Sequence, residues 1–470
     1  MKSNFIFVTC LSVITLLAAC SHVPPATVAA PDPVQAAWVV VGEQGQATAR
    51  VITQASYCPD LIQDGVAAAM QVRALPATIA QRPVAAASSA MSSDKPASFP
   101  VLTCEAVLQP GVASASVAGR SLPVPKAVPL KILVLGDTGC RLKAEAHYFQ
   151  ACNDAAKWAF ATVAKTAAGF APDLVIHVGD YQYRESPCPS GIAACTDSPW
   201  GFGWDTWQAD FFAPGAPLLA AAPWVMARGN HESCARAGQG WWRFLDPRAP
   251  QAGRDCNLAS NDMRGDYSAP YAVPLGAGAQ LIVFDSSKAA GKPLAKNDPA
   301  YLEYQQEFRQ VDRLASQAPF SIFIEHHPIL GFAPERGKTD GVEVRPGNPS
   351  LQGVLSELHP QRLFAPNVQL LLAGHVHLFE ALTFSSDHPM QLVTGNGGSS
   401  PDVDLPNPLP PTLTPFEFAV VDHFNSTSRS GFSTMERASA SATDWTIKSW
   451  DQFGMLMTTC TVSRQKQECH

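Results

Sequence analysis

Five short motifs combine carboxylate, amide, phenol and imidazole side chains, which bind hard or borderline first-row metal ions. In chain order, they are Gly136-Asp137-Thr138-Gly139, Gly179-Asp180-Tyr181-Gln182-Tyr183, Gly229-Asn230-His231-Glu232, His326-His327-Pro328 and Gly374-His375-Val376-His377. Each motif alone is weak evidence, because a Gly-Asp pair is more often a turn than a ligand. Together they hold enough ligands for two ions with one bridging carboxylate. Two ions roughly 3.5–4 Å apart can hold a phosphate ester and activate water near neutral pH.

At most two residues separate each motif from the end of the short apolar run before it, and each run is typical of a buried strand. These runs are 131–135, 174–178, 224–226, 321–324 and 368–372. Helical patterns at 143–167 and 300–316 alternate with the strands, and this alternation indicates an α/β domain. Because sites in such sheets gather beyond the carboxyl ends of the strands, we expect the five motifs to meet in one cleft.

The charge of the chain argues against one class of partner. Charged residues make up 16% of the 470 residues, and the formal net charge is −7. Such a chain is not expected to hold nucleic acid by broad attraction to phosphates. An anionic substrate would need a local source of positive charge, which bound metal ions would supply.

Residues 1–20 resemble a bacterial lipoprotein signal peptide. Lys2 precedes an apolar stretch over 5–17, and small residues then lead to Cys20, the predicted lipidation site. The Pro/Ala-rich stretch 21–34 is predicted to be a tether. No later run is long and apolar enough to span a bilayer, so we expect an exported protein held in the cell envelope (periplasm or outer membrane) by a lipid anchor only. A plain secretory signal that contains Cys20, and hence a secreted protein, is the alternative.

The cysteine count favours disulfides. Without Cys10 and Cys20, ten of the 12 cysteines remain, an even number that suits an oxidising compartment. Connectivity cannot be deduced from sequence, and pairing of consecutive cysteines is the simplest hypothesis. The pairs would be Cys58–Cys104, Cys140–Cys152, Cys188–Cys195, Cys234–Cys256 and Cys460–Cys469. A thiolate metal site is disfavoured because the chain has no closely spaced CxxC pairs.

Residues 35–125 differ from the rest of the chain, since short β-rich runs alternate with turn-forming stretches. They predict a small β-sandwich domain, whose role is packing or spacing, because it carries no cluster of His, Asp or Glu. The Pro-rich segment 122–129 marks a domain boundary. The catalytic domain is predicted over 130–470.

The order GDxG, GDxxY, GNHE, HxP, GHxH over roughly 130–400 resembles the metallophosphoesterase superfamily and, within it, the purple acid phosphatases. Most metallophosphoesterases have a histidine where Gly139 stands and lack a tyrosine at the position of Tyr183. Losing one ligand and gaining a phenolate is what an Fe(III) site would show. The resemblance implies a four-layer α/β/β/α sandwich, preceded by a module similar to a fibronectin type III domain.

The resemblance also implies a binuclear centre in which Asp180 bridges the two ions. The ligands of the ferric ion would be Asp137, Asp180, Tyr183 and His377. The ligands of a divalent ion (Fe, Zn or Mn) would be Asp180, Asn230, His326 and His375. His231 would lie beside the ions, where it would hold phosphate or protonate the leaving alkoxide.

One stretch departs from the family pattern. Many members carry further histidines shortly after the HxP motif, whereas "HHPILGFAPERGKTDG" has none after His327. We therefore predict that Arg336 or Lys338 contacts the substrate instead. His327 is interpreted as a packed or supporting residue. Glu232 is expected to orient His231 or its neighbours.

The leading hypothesis is an acid phosphatase type of enzyme that cleaves phosphate monoesters by attack of a metal-bound hydroxide on phosphorus. A phosphodiesterase or nucleotidase on the same scaffold is the second hypothesis. A non-catalytic surface binding protein that kept the fold is the third, and it is disfavoured because such proteins usually lose ligands.

Overall fold

The computed structural model describes Met1 and residues 32–80, 95–336 and 341–470. Residues 34–470 form one compact unit. The predicted signal peptide with Cys20, and the predicted tether up to residue 31, lie outside the described residues. Within the described residues, no helix is long and apolar enough to cross a membrane.

The described residues form short strands, which are numbered here from the amino end. They are β1 Val34–Val41, β2 Ala47–Thr53, β3 Asp60–Gln63, β4 Val66–Ala69, β5 Gln71–Ala74, β6 Ala77–Ile79, β7 Ala97–Phe99, β8 Leu102–Val107, β9 Ala115–Val117, β10 Arg120–Leu122, β11 Lys131–Leu135, β12 Leu142–Lys143, β13 Tyr148–Phe149, β14 Leu174–His177, β15 Trp224–Met226, β16 Tyr271–Gly276, β17 Ala279–Val283, β18 Phe320–Ile324, β19 Phe332–Arg336, β20 Val342–Pro346, β21 Val368–Ala373, β22 Phe379–Phe384, β23 Met390–Thr394, β24 Val421–Thr427, β25 Gly431–Glu436, β26 Trp445–Asp451, β27 Leu456–Val462 and β28 Gln467–Cys469.

The α-helices lie mostly between the strands of the catalytic region. They are α1 Phe160–Gly169, α2 Trp204–Trp207, α3 Ala213–Ala221, α4 Gly238–Gly240, α5 Asp262–Gly265, α6 Pro299–Ala315 and α7 Pro349–Leu358. The predicted helix over 300–316 corresponds to α6. It begins after Asp298, whose side chain accepts a hydrogen bond from the Ala300 N–H at 2.9 Å and so caps the helix.

Two large sheets carry the fold. The first has eleven strands in the order β28-β27-β26-β25-β11-β14-β15-β1-β2-β8-β5, and the second has seven in the order β16-β17-β18-β21-β23-β22-β24. Strands β11, β14 and β15 are parallel neighbours, as are β17, β18, β21 and β23. Parallel neighbours end at the same edge of a sheet, so the loops at their carboxyl ends are brought together.

The layering arises from side chains that point alternately to the two faces of a strand. In β11, Ile132 and Val134 pack in a core shared with the second sheet, whereas Leu133 and Leu135 pack in a core shared with α1 and α3. Helices α6 and α7 cover the outer face of the second sheet. The arrangement is the expected four-layer α/β/β/α sandwich.

The N-terminal region is rich in strands, as predicted, and it has its own apolar core. That core lies between strands β1, β2 and β8 of the first sheet and a small sheet ordered β10-β9-β3-β4. Strand β1 also pairs in parallel with β15, with Val40 opposite Trp224. The first sheet therefore runs on from the catalytic region into this region without a break. The division at residues 35–125 and 130–470, and the finer likeness to a fibronectin type III module, stay predictions.

The helix predicted over 143–167 is wrong for its first part, because α1 is the only α-helix there and Ala144–Ala146 form a single 3₁₀ turn. The preceding residues form the hairpin β12–β13, which tertiary contacts hold in place. The Gln150 side chain accepts from the Arg141 N–H at 2.9 Å and donates to the Lys157 carbonyl at 3.1 Å. A disulfide joins Cys140 to Cys152. These ties override a local pattern that favours a helix.

The disulfide hypothesis is confirmed. The bonds are Cys58–Cys104, Cys140–Cys152, Cys188–Cys195, Cys234–Cys256 and Cys460–Cys469. Five disulfides are typical of proteins that mature in an oxidising compartment.

Candidate metal centre

The motifs predicted to bind metal come from both large sheets. Asp137, Asp180 and Asn230 come after β11, β14 and β15 of the first sheet, and His326 and His375 come after β18 and β21 of the second. Because the carboxyl ends of these strands lie at one edge of the sandwich, all five side chains reach the same place.

A first cluster forms around the hydroxyl of Tyr183. Its Oη lies 2.8 Å from Oδ1 of Asp137, 2.8 Å from Oδ2 of Asp180 and 2.8 Å from Nε2 of His377. All four side chains are buried. Four potential metal-binding atoms therefore converge, and they are the four residues predicted for the ferric ion.

A second cluster forms around the side-chain oxygen of Asn230. This Oδ1 lies 3.1 Å from Nε2 of His326 and 3.0 Å from Nδ1 of His375. Oδ2 of Asp180 lies 3.1 Å from Nε2 of His326, so Asp180 belongs to both clusters. Asp180, His326 and His375 each offer a ligand atom within 4.8 Å of the others. The structure thus brings together all seven predicted ligands.

The spacing of these atoms fits cations. Ligands about 2.1 Å from an ion in octahedral geometry lie about 3 Å apart, since the edge of the octahedron has that length. The distances within the two clusters match this edge. The oxygen and nitrogen donors are those that hard or borderline metals take.

Hydrogen bonds prepare two of the histidines for metal binding. Nδ1 of His377 lies 2.7 Å from the Ser400 carbonyl oxygen, and Nδ1 of His326 lies 2.9 Å from that of Val178. A carbonyl oxygen can only accept, so each Nδ1 carries a proton. Each Nε2 is thereby directed at its cluster, as is usual for metal-binding histidines.

The electrostatics of the first cluster favour neutral Asp137 and Tyr183 as long as no cation is bound. Burial raises the pKa of Asp137 well above its ordinary value, and the charge of Asp180 adds to this rise. Burial likewise raises the pKa of Tyr183 well above its ordinary value, with Asp137 and Asp180 as further causes. A bound cation reverses this balance and favours the ionised forms of both groups.

Three of the predicted ligands lie on unusual backbone. Asp137, Asp180 and His375 have φ of 56°, 60° and 68°, the left-handed region that residues other than glycine seldom adopt. Each such residue costs on the order of 1 kcal/mol, and such strain clusters at functional sites. The strain marks these motifs as more than ordinary turns.

The backbone at Gly139 lies tightly against the segment that carries Tyr183. A Cβ at Gly139 would lie 2.8 Å from the Tyr181 carbonyl oxygen, 2.8 Å from the Tyr183 nitrogen and 2.9 Å from Oδ2 of Asp210. No side chain fits there unless its neighbours move. The same Asp210 oxygen accepts the Tyr183 N–H at 2.8 Å and so fixes the backbone of Tyr183 beside Gly139.

Glu232 does not hydrogen-bond to the His231 ring; it joins the loop after β14 to the loop after β15. Its buried carboxylate accepts hydrogen bonds from the backbone N–H groups of Asp180, Tyr181, Gln182 and Gly229, at 2.9 to 3.3 Å. The turn that carries Asp180 is thereby fixed to the turn that carries Asn230 and His231.

The His231 ring is held by two residues that sequence reasoning missed, Glu185 and Arg236. Nδ1 of His231 lies 3.1 Å from Oε1 of Glu185, and Nη2 of Arg236 lies 2.6 Å from Nδ1 and 2.7 Å from Nε2 of the same ring. Its Nε2 lies 3.9 Å from Oδ2 of Asp180. Burial and the charge of Arg236 lower the pKa of His231 to about 4. Only their closeness in sequence to Tyr183 and His231 could have pointed to these two residues.

The remaining predictions have mixed outcomes. His327 is buried, and its ring packs 4.2 Å from that of His375, which agrees with a packed or supporting residue. The Arg336 side chain and Lys338 lie outside the described residues, so the substrate contact stays a prediction.

The fold and this centre define a metal-dependent phosphoric ester hydrolase. A sequence profile of the calcineurin-like phosphoesterase family matches residues 130–379, which is more than half of the chain. The chain belongs to this family.

Solved structures show the same fold at low sequence identity. A purple acid phosphatase, PPD1 from yellow lupin (Lupinus luteus) seeds, is 15% identical with a TM-score of 0.51, over 91% of this chain and 74% of that one. PhoD is 12% identical with a TM-score of 0.55, over 93% of this chain and 91% of that one. No curated protein sequence matches the chain significantly.

We expect Glu232→Ala to lower both the metal content and the stability of the protein. Four buried N–H groups would lose their acceptor, and each buried unsatisfied group costs roughly 1–3 kcal/mol. Metal-to-protein ratios and thermal unfolding would be compared with Glu417→Ala, a matched change at an exposed position. Glu232→Gln keeps one acceptor oxygen and should fall between the two. Equal metal content in all four proteins would contradict the role given to Glu232.

Proposed function

We propose that the chain is a binuclear-metal phosphomonoesterase of the acid phosphatase type. The observation that carries the proposal is the placement of the Tyr183 hydroxyl, 2.8 Å from Asp137, Asp180 and His377 in a cluster that shares Asp180 with a second one. A phenolate at this position suits a ferric ion, and the neighbouring nitrogen-rich cluster suits a divalent one.

The two ions would be bound by the two clusters. The ferric ion would take Asp137, Asp180, Tyr183 and His377. The divalent ion (Fe, Zn or Mn) would take Asp180, Asn230, His326 and His375. When bound, the pair of ions would polarise the phosphate ester and make water nucleophilic.

The other side chains would orient the substrate and move a proton. Nε2 of His231 lies 3.9 Å from Oδ2 of Asp180, beside the place where the phosphate would lie. Once protonated and released from its 2.7 Å contact with Nη2 of Arg236, this atom would bind a phosphate oxygen or pass a proton to the leaving alkoxide. Glu185 and Arg236 hold the His231 ring in place, and Glu232 fixes the loop that carries His231. The products would be an alcohol and phosphate.

Two other functions use the same fold. A phosphodiesterase or nucleotidase would need the same ions, and paired assays on an aryl monoester and an aryl diester distinguish it from a monoesterase. A binding protein without activity is less well supported, because the complete set of ligands and His231 are present in the sequence.

We also propose that the chain is exported and lipid-anchored through Cys20. The five disulfides support an oxidising compartment. A secreted form without the anchor is the alternative.

The iron assignment predicts colour. The pure oxidised protein should show a visible absorption band from charge transfer between the Tyr183 phenolate and iron. Tyr183→Phe should remove the band and leave the circular dichroism spectrum unchanged, because only the hydroxyl is lost. Tyr57→Phe, at a tyrosine that is 73% exposed, is the matched control and should keep the colour. A colourless wild-type protein with full iron content would rule out the ferric assignment.

The role of His231 predicts a loss of turnover without a loss of metal. His231→Ala should lower kcat by roughly 10²–10⁴, the range for a positioned proton donor. Asn230→Ala or His326→Ala should instead lower the content of the divalent ion. His359→Ala, which removes a distant histidine paired with Asp312, is the control and should keep both. Near-normal turnover of metal-loaded His231→Ala would exclude His231 from the mechanism.

The proposed anchor predicts that Cys20→Ala leaves the precursor unprocessed or releases the chain from membranes. Several acyl chains on one cysteine hold a protein firmly, and the change removes their attachment point. Membrane fractions would be washed with carbonate and compared with those of Cys10→Ala, which keeps the attachment site. If the wild-type chain is already fully released and begins downstream of Cys20, the protein is secreted without an anchor.

A further inference from the structure

A cavity of about 450 Å³ adjoins the candidate metal centre. His375, an exposed member of the second cluster, lines it, so the cavity and the centre are continuous. Phe332, Ala333, Pro346 and Val376 contribute apolar wall. A bound phosphate at the centre would therefore have its ester group close to an apolar cavity of the size of an organic ligand.

The loop that forms one wall is held rigidly. Buried side chains of Glu325, Gln391 and Glu380 accept backbone N–H groups between Pro328 and Phe332, at 3.0 to 3.3 Å. Glu325 directly follows β18, Gln391 lies in β23 and Glu380 lies in β22. The second sheet itself therefore fixes the loop. The cavity is thus formed before any ligand binds, which lowers the entropy that binding would lose.

His327 presents a hydrogen-bond donor to this cavity. Ser286 Oγ accepts the N–H groups of His326 and His327, at 3.0 and 3.1 Å, and lies 3.2 Å from Nδ1 of His327. With both acceptor positions used, the Ser286 hydroxyl donates its own proton to Nδ1. The proton of the neutral ring is then on Nε2, which has no partner among the described residues. His327 lines the cavity, and its Nε2 is not among the fully buried side-chain atoms that lack a partner, so this N–H is open to the cavity.

The charged residues of the cavity do not offer a binding site for an ionic group. Glu335 and Arg345 pair with each other at 2.5 Å, and their side chains are 43% and 62% exposed. They lie at the rim, on the hairpin of β19 and β20. The interior then has apolar wall and two neutral polar side chains, His327 and Asn348, which suits an uncharged ring-sized group that carries a hydrogen-bond acceptor.

We propose that this cavity is the leaving-group pocket, and that it selects monoesters of a neutral ring-sized alcohol, such as a nucleoside or an aryl alcohol, with His327 Nε2–H as the donor to an acceptor on that group. The inference rests on the proposed function, since it assigns the substrate class of the same centre. It gives His327 a role in specificity beyond packing.

The first test measures binding, so it does not depend on turnover. Phenylphosphonate and methylphosphonate share the phosphonate group and differ in the organic part. The metal-loaded wild-type protein should bind phenylphosphonate more tightly by about tenfold in calorimetry, because a ring would be buried. Ala333→Trp fills the cavity and should abolish this preference, with methylphosphonate binding unchanged. Val342→Trp, at an exposed position of the same hairpin, is the control and should keep it.

The second test concerns the donor. His327→Leu should lower kcat/KM for adenosine 5′-monophosphate about 3- to 10-fold more than for phenyl phosphate, which carries no acceptor on its ring. His327→Gln keeps an N–H donor and should recover part of the loss. Metal content should be unchanged in both variants.

The outcomes separate this inference from the proposed function. A wild-type protein that hydrolyses no monoester overturns the proposed function, while the phosphonate preference still tests the pocket. An unchanged preference in folded, metal-loaded Ala333→Trp overturns the pocket. An equal loss for both esters in His327→Leu would place His327 at the reacting phosphate and overturn its role in specificity.

Discussion

Asp180 has to serve two ligand clusters at once, and much of the structure depends on this constraint. Its Oδ2 contacts Tyr183 on one side and His326 on the other, while its Oδ1 accepts the N–H of His231 at 2.8 Å. A carboxylate in this position cannot turn away without breaking contacts with two sheets. Its left-handed backbone is held by the Glu232 carboxylate, which accepts the Asp180 N–H. A strained turn is therefore stabilised by a buried acid that lies outside the clusters.

The close approach of the two sheets makes this sharing possible. A Cβ at Gly374 of the second sheet would collide with Asp137 of the first, and one at Gly179 of the first would collide with His326 of the second. Backbone thus lies where side chains would lie in an ordinary core, and the donor atoms come within about 3 Å of one another. Without a cation, so many buried polar groups would be unfavourable. The burial of apolar side chains on both faces of each sheet offsets the free-energy cost of burying these polar groups.

Local features of the sequence predicted much of this arrangement. The strands before the motifs, helix α6 and the five disulfides could be predicted because each depends on a short pattern or on order along the chain. The hairpin at 142–149 could not, since the contacts of Gln150 and the bond between Cys140 and Cys152 decide it. Glu185 and Arg236 were missed because a single charged residue near a motif has no pattern of its own. The pairing of β1 with β15 is likewise a long-range contact that no local run of residues reveals.

The centre and the cavity beside it obey different physical demands. In the first cluster, every side chain that could bind metal is buried. Most of them are fixed by a further hydrogen bond, as His377 is by the Ser400 carbonyl. Such a region tolerates little change, because each lost contact leaves a buried polar group without a partner. The cavity has apolar walls on a hairpin and a loop, where a change of side chain alters shape without exposing a buried charge. His375 lies between the two regions, since it is both a member of the second cluster and part of the cavity wall. Under the proposed function, the clusters would keep one chemistry while the residues around His327 would set which alcohol is released.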